Sequence, residues 1–291
     1  MKQGLLIPGR VVFGLLVSLL SAGGAVAQQP AAGNTSAAEQ SQALTQRPNI
    51  ETISTAARPA EHPLMPALRW AYAGLENIRK IEDYSCTFIK RERVDGRLQD
   101  HEYFFCKVRH NPFSIYLYFL APEDVRGQEV IYVEGLNDNQ LVAHPIGIRQ
   151  RAIGSVQLKP DGMIAMRGNR YPLTDAGILN LAEKLIEIGE QDTHFGECEV
   201  NFYQGAKLNG RTCTCIQVKH PVPRRNFRYY MARIFVDEEL MVPIRYASWS
   251  WPKTPGGEPE LVEEYTYLDL KLNNGYTDRD FDPENPEYNF K

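Results

Sequence analysis

The chain has 291 residues, 32 Lys plus Arg against 36 Asp plus Glu, a formal charge of −4 and a 43% apolar fraction. That apolar content supports a packed core and excludes a wholly disordered chain; the near balance of charge argues against nucleic acid as the main partner; five cysteines are too few for a disulfide-dense miniprotein. Aromatic residues at 10%, with 15 Tyr, lean toward β structure.

The first 27 residues have the layout of an export signal. Lys2 and Arg10 precede an apolar or small-residue run from Val11 to Ala27, which closes on Ala25-Val26-Ala27, an A-x-A cleavage pattern. The run is too short and too small-residue-rich at its end for a spanning helix, and no cysteine lies near the cleavage point to be acylated. The expectation is a cleaved signal peptide (1–27), a periplasmic or extracellular location, and no transmembrane segment in the mature chain. Removing Lys2 and Arg10 takes the formal charge from −4 to −6. Residues 28–62, rich in Ala, Gln, Ser, Thr and Pro, bury too little surface to offset ordering entropy and read as a flexible linker. Residues 63–291 are expected to form a single domain.

In that domain Leu64, Leu68, Ala71, Tyr72, Leu75 and Ile78 fall on one helical stripe, with Arg79 and Lys80 at its end, where cations suit the helix dipole. Two strand patterns, Tyr84–Arg93 and Leu98–Arg109, flank Asp95-Gly96. A three-residue loop over Asp95–Arg97 sets Cys86 opposite Cys106, Phe88 opposite Phe104, Tyr84 opposite Val108, Asp83 opposite Arg109 and Lys90 opposite Glu102. A two-residue loop would set Tyr84 against Lys107. The matched pairs favour the first register, at the cost of opposing Glu92 with Asp100. The stretch 113–120 alternates, with Phe113, Ile115, Leu117 and Phe119 on one face and Tyr116 and Tyr118 on the other. A second hairpin turns at Asn137-Asp138-Asn139, and a less regular stretch runs from Pro145 to Pro172. Thr174 is expected to cap a helix with the stripe Ile178, Leu181, Leu185 and Ile188, ended by Gly189. Strands are expected over 197–204, 211–219, 227–236, 241–251 and 258–272. An Asn209-Gly210 turn pairs Cys213 with Ala206, and Gln204-Gly205 is a candidate bulge.

The order of these elements resembles the lipoprotein-carrier (LolA/LolB-like) fold of the bacterial envelope. More narrowly, the chain resembles an exported domain-of-unknown-function family within that fold group. The residues that carry the likeness are Asp83-Tyr84-Ser85-Cys86-Thr87-Phe88, Gly127-Gln128-Glu129-Val130-Ile131-Tyr132, Asn169-Arg170-Tyr171-Pro172-Leu173-Thr174 with Gly177-Ile178, Ile234-Phe235-Val236-Asp237 leading to Val242-Pro243-Ile244, and Phe281 after Thr277-Asp278-Arg279-Asp280. The resemblance implies an α+β fold: a curved antiparallel sheet (an incomplete β-barrel) with an N-terminal and a mid-chain helix on the concave side. It brings no established activity.

Chemistry-bearing motifs are sparse. The six histidines form no His-x-His or HExxH pair; there is no G-x-S-x-G, since Gly154-Ser155 is followed by Val156-Gln157; and no G-x-G-x-x-G or Walker loop occurs. Cys213-Thr214-Cys215 lacks a second metal-ligand pair. Glu263-Glu264 and Glu238-Glu239 point to opposite strand faces and read as solvated. No catalytic residue, metal or cofactor is therefore assigned. Cys86 and Cys106 are the disulfide candidate, as direct cross-strand neighbours in an exported chain. Phe113, Ile115, Leu117 and Phe119 are the candidate lining for a lipid or other hydrophobic ligand. Arg224, Arg225 and Arg228, in a Pro- and aromatic-flanked loop, are the candidates for an anionic partner. Three functions follow in order: a non-catalytic envelope protein binding a hydrophobic ligand in a half-barrel; an interaction module with a filled cavity that recognises an envelope protein through the basic loop; and an exported hydrolase with scattered catalytic groups.

Overall fold

The computed structural model describes residues 52–53, 61–147 and 154–290. The export signal and most of the expected linker lie outside the described residues. The elements in chain order are β1 (Thr52–Ile53), α1 (Met65–Ile78), β2 (Asp83–Val94), β3 (Arg97–Leu98), β4 (Glu102–Arg109), β5 (Ser114–Ala121), β6 (Glu129–Val133), β7 (Leu141–His144), β8 (Val156–Leu158), α2 (Ile178–Asp192), β9 (Glu199–Leu208), β10 (Arg211–Lys219), β11 (Met231–Asp237), β12 (Pro243–Ser250) and β13 (Glu260–Leu272). The strands form one sheet in the order β1-β9-β10-β11-β12-β13-β2-β4-β5-β6-β7-β8, with β3 paired to β2. Every described pairing is antiparallel, and the sheet does not close: β8 lies at one edge and β1 on β9 at the other. This is the open antiparallel sheet with two helices that the resemblance implied. Thr52–Ile53, within the expected linker, pair with Phe202 and Tyr203 of β9.

The β2–β4 hairpin uses both registers that the sequence allowed. Asp95-Gly96 makes a two-residue turn, pairing Val94 with Arg97 and Arg93 with Leu98. From Lys90–Glu102 onward the ladder follows the other register, with Phe88 opposite Phe104, Cys86 opposite Cys106, Tyr84 opposite Val108 and Asp83 opposite Arg109. One extra residue over 99–101 absorbs the difference, a bulge that also removes the Glu92–Asp100 opposition. The β9–β10 ladder likewise pairs Cys213 with Ala206 and then slips between Cys213 and Cys215, at Gln204-Gly205.

Two details of the helices differ from expectation. Tyr72 lies on the exposed side of α1, where its hydroxyl donates to Glu190 of α2. Thr174 does not cap α2; it belongs to a 3₁₀ turn over Leu173–Asp175, and α2 begins after Gly177 (φ +110°). The Ile178 N–H instead donates to the buried Tyr84 hydroxyl at 2.9 Å, so a side chain of β2 does the work of a cap. Gly189 does not end α2 either. It sits inside the helix where α1 crosses, and a Cβ there would stand 3.0 Å from Leu68 Cδ2.

The core occupies part of the space between the helices and the concave face of the sheet: Leu68, Leu75 and Ile78 of α1 and Ile178, Ala182 and Ile186 of α2 pack with residues of β2, β4, β5 and β10–β12. The convex face of β4–β7 carries a second cluster, in which Tyr116, Ile131, Val133 and Val142 are covered by Phe281 and Phe290 of the C-terminal segment. Two buried carboxylates anchor that segment. Asp83 accepts the backbone N–H groups of Asn274, Gly275 and Tyr276 at 2.6–3.0 Å. Glu129 accepts from Asn289 Nδ2 at 2.6 Å, from its backbone N–H, and from the Tyr116 hydroxyl at 3.2 Å.

Candidate functional site

A cavity of about 900 Å³ opens between the concave face of the sheet, the inward side of α2 and a strap, residues 160–177, that links β8 to α2. Because strand side chains alternate, one row from each strand faces it. Beginning on β5, the row reads Ile115, Leu117 and Phe119, then Phe104 on β4, Phe88 on β2, Tyr265 and Tyr267 on β13 and Tyr246 on β12. Five consecutive strands of the sheet line one space, so the sheet wraps around it. Leu181, Leu185 and Ile188 of α2 close the opposite wall. On the sheet side the aromatic rings interlock: Phe104 meets Phe119 edge-on at 4.7 Å and Phe88 lies 5.0 Å from Tyr267.

Toward one end the same rows turn polar. Lys90 and Glu92 continue the Phe88 face of β2, and Glu263 and Ser248 continue the neighbouring strands. Lys90 Nζ reaches Glu102 at 3.0 Å and Glu92 at 3.7 Å, and donates to Asn169. The strap is bolted here through Arg170. Its backbone N–H donates to Glu92 (3.0 Å), its Nε to Glu263 (3.0 Å) and its Nη1 to the Arg93 carbonyl (2.9 Å). Tyr265 donates to Glu92 at 2.6 Å, and Ser248 to Glu263 at 3.1 Å. Burial pushes the Lys90 ammonium down, but Glu102 and Glu92 outweigh it and hold its pKa above the ordinary lysine value. Burial and then Glu92 push the Tyr265 hydroxyl well up, so it stays a donor. Each charge is thus met by an opposite one, which is what permits so many ionised groups under a strap.

The sequence candidates divide on this frame. Ile115, Leu117 and Phe119 line the cavity together. Phe113 does not; it lines an adjoining cavity of about 280 Å³ with His110, Tyr132 and Glu134. The basic residues separate too: Arg224 is tied to Glu197, Arg225 is exposed on the β10–β11 loop, and Arg228 stands at the cavity rim. Cys86 and Cys106 face one another across the ladder and both are buried, but they stand as free thiols, as do the other three cysteines, so the disulfide candidate is not formed in this structure. Ladder spacing is often wider than a disulfide prefers, and burial pushes the Cys106 thiol up, which disfavours the reactive thiolate.

The expectation that Glu263-Glu264 is solvated is corrected. The two do point to opposite faces, but both are buried: Glu263 enters the strap network, and Glu264 accepts from Arg245 (2.6 Å) and meets His101 (2.9 Å). Sequence reasoning missed the Lys90, Glu92, Arg170 and Glu263 constellation. The available signal was the period of two, since Phe88-x-Lys90-x-Glu92 places ions on the face of a core phenylalanine. Among the described residues, no group of three or more His, Cys, Asp or Glu is placed to hold a metal ion, and no helix is long and apolar enough to cross a membrane.

A family model described as a protein of unknown function (DUF1571) matches residues 81–290. Among curated proteins, none matches the chain. Among solved structures the chain is similar to the lipoprotein LppX of Mycobacterium tuberculosis (13% identity over 73% of this chain and 98% of that one, TM-score 0.42). It is also similar to a DUF1329 family protein of Desulfovibrio piger (12% identity, 76% and 98%, TM-score 0.37) and to a LolA superfamily protein of Nitrosomonas europaea (12%, 73% and 97%, TM-score 0.31).

Proposed function

The chain belongs to the DUF1571 family of proteins of unknown function, and from its site we propose that it is an exported, non-catalytic envelope protein that binds a lipid or other hydrophobic ligand in the half-barrel. The observation that carries this is the cavity itself, about 900 Å³, walled by Ile115, Leu117, Phe119, Phe104, Phe88 and Leu181. That volume lies in the upper part of the range of small-molecule sites. Phe119, Phe104, Ile115 and Leu117 are buried at the floor of this space, and its water-facing part is the half-buried Phe88, Leu181 and Leu185; each Å² of these that an apolar occupant covers is worth roughly 25 cal/mol, so a ligand with a hydrocarbon body recovers the most free energy. The ions at one end are already paired with one another and leave the apolar walls as the binding surface. Because α1 and α2 leave this space open, the cavity favours the ligand-binding reading over a filled interaction module.

Titration with a fluorescent long-chain fatty acid tests it. Saturable binding at one site is expected, weakened at least tenfold by Leu181→Trp, which fills the cavity from α2, and by Leu117→Arg. Unchanged binding by both variants, each shown to be folded, rejects this site.

A further inference from the structure

The strap that roofs the cavity also carries a concentrated share of the exposed apolar surface. Among the described residues seven large apolar side chains are exposed; two of them, Met163 (88%) and Ile164 (45%), are adjacent on this strap and outside the cavity lining, while Tyr171 (41%) borders the cavity. The other four, Tyr72, Leu120, Leu136 and Val222, fall one to an element or loop. The Met163-Ile164 tip is held in shape. Gly162 N–H donates to the Lys159 carbonyl, Met166 N–H to that of Gly162 and Asn169 N–H to that of Met166, and the neighbouring Ala165 is buried against the cavity. Two adjacent apolar side chains therefore project from an ordered turn whose inner side is packed.

Charge brackets the tip. Exposed Lys159 and Arg167 stand on either side, against one exposed acid, Asp161. We propose that this tip docks the protein on an anionic lipid bilayer, with Met163 and Ile164 inserted among the lipids and Lys159 and Arg167 at headgroup level. The pairing of a projecting apolar couple with flanking cations matches the layering of a bilayer surface: anionic groups outside, hydrocarbon beneath, and long cationic side chains able to lie along the boundary. A protein partner would need a complementary face, and the tip offers a point. The strap would then touch the bilayer with its outer side and the cavity with its inner side. The docking stands whether or not the cavity holds a ligand.

Vesicle flotation of the purified protein tests it, with phosphatidylethanolamine–phosphatidylglycerol vesicles against phosphatidylcholine vesicles at 0.1 M salt. The wild type is expected to float with the anionic vesicles, and the Met163→Asp, Ile164→Asp double variant to partition at least tenfold less. The Lys159→Glu, Arg167→Glu double variant should lose severalfold at 0.1 M salt and match the wild type at 1 M, where surface charge is screened. All four side chains are exposed, so thermal unfolding of both variants should match the wild type. A wild type that stays with neither vesicle, or a Met163→Asp, Ile164→Asp protein that floats equally well, overturns the proposal. So does a wild type that ignores vesicles but self-associates through the same tip.

Discussion

The two faces of β5 receive opposite treatment from the rest of the chain. On the convex side Tyr116 stacks on Tyr288 at 4.1 Å, and Phe281 and Phe290 complete the cover, held by Glu129 and Asp83. On the concave side Ile115, Leu117 and Phe119 look into a cavity that α2 and the strap roof without filling. Adjacent residues of one strand are thus buried in different ways: Tyr116 under a packed segment, and Ile115, Leu117 and Phe119 at the floor of a space whose half-buried walls are Phe88, Leu181 and Leu185. The C-terminal segment lies directly on one apolar face, whereas the strap crosses the other through the Arg170 bonds at its rim and the packing of Ala165, Leu173 and Ala176, with a cavity left beneath it. That contrast is the physical basis for assigning ligand binding to the concave side.

If the convex face is sealed by its anchors, removing one should cost the most. Glu129→Ala leaves the Asn289 amide groups and the Tyr116 hydroxyl without their acceptor and is expected to destabilise by about 3 kcal/mol, read from urea unfolding. A loss below about 1 kcal/mol would mean that Asp83 and the aromatic rings hold the segment without Glu129.

Arg170→Ala probes the rim of the open face. It removes two side-chain bonds and leaves Glu263 short of its cation, at a cost of about 2 kcal/mol. The same variant should release a bound acyl probe faster in stopped-flow displacement; an unaltered release rate would separate the strap from access to the cavity.

Leu181→Ala measures the open face itself. A packed core leucine costs about 2–5 kcal/mol on truncation, but Leu181 already borders open space, so about 1 kcal/mol is expected, and Ile186→Ala on the packed side of α2 should cost more. Equal costs would contradict the contrast between the two sides of this helix.

The smallest effect concerns pH. Burial pushes the Asp192 carboxyl up to about 6 from an ordinary value of 3.8, against the Tyr229 hydroxyl bond and Arg228, which pull it down. The folded state therefore holds a proton that the unfolded chain releases, and the stability this carboxyl contributes is present below pH 3.8 and lost as pH rises through 6. Asp192→Asn should gain on the wild type by a few degrees in Tm between about pH 4 and pH 7. His220, whose pKa burial lowers, has the opposite slope, and its Nε2 stands 3.4 Å from the Asp192 carboxylate, so the Tm difference reads the two buried groups as a pair. A Tm difference that does not change with pH would show that Asp192 is not shifted.

What was legible in the sequence follows the reach of each signal. Period-two alternation found β5 and its two faces, and cross-strand matching of Tyr84 with Val108 and Cys86 with Cys106 found the β2–β4 ladder, because both depend on neighbours along one hairpin. The bulge at Gln204-Gly205 was visible for the same reason. The strap was not, since residues 160–177 have no periodicity and owe their place to Arg170 meeting Glu92 and Glu263, which lie 78 and 93 positions away. The start of α2 was misplaced at Thr174 because the group that satisfies Ile178 is a tyrosine of β2. Burial of Glu263 was missed because its partners Arg170 and Ser248 come from the strap and β12, and no local pattern announces them.

Native mass spectrometry of the protein purified from its own envelope, with organic extraction of whatever accompanies it, tests the central claim most directly. The account predicts a stoichiometric lipid or other hydrophobic adduct that is depleted in the Leu181→Trp protein. A bare polypeptide mass, in wild type and variant alike, would contradict it.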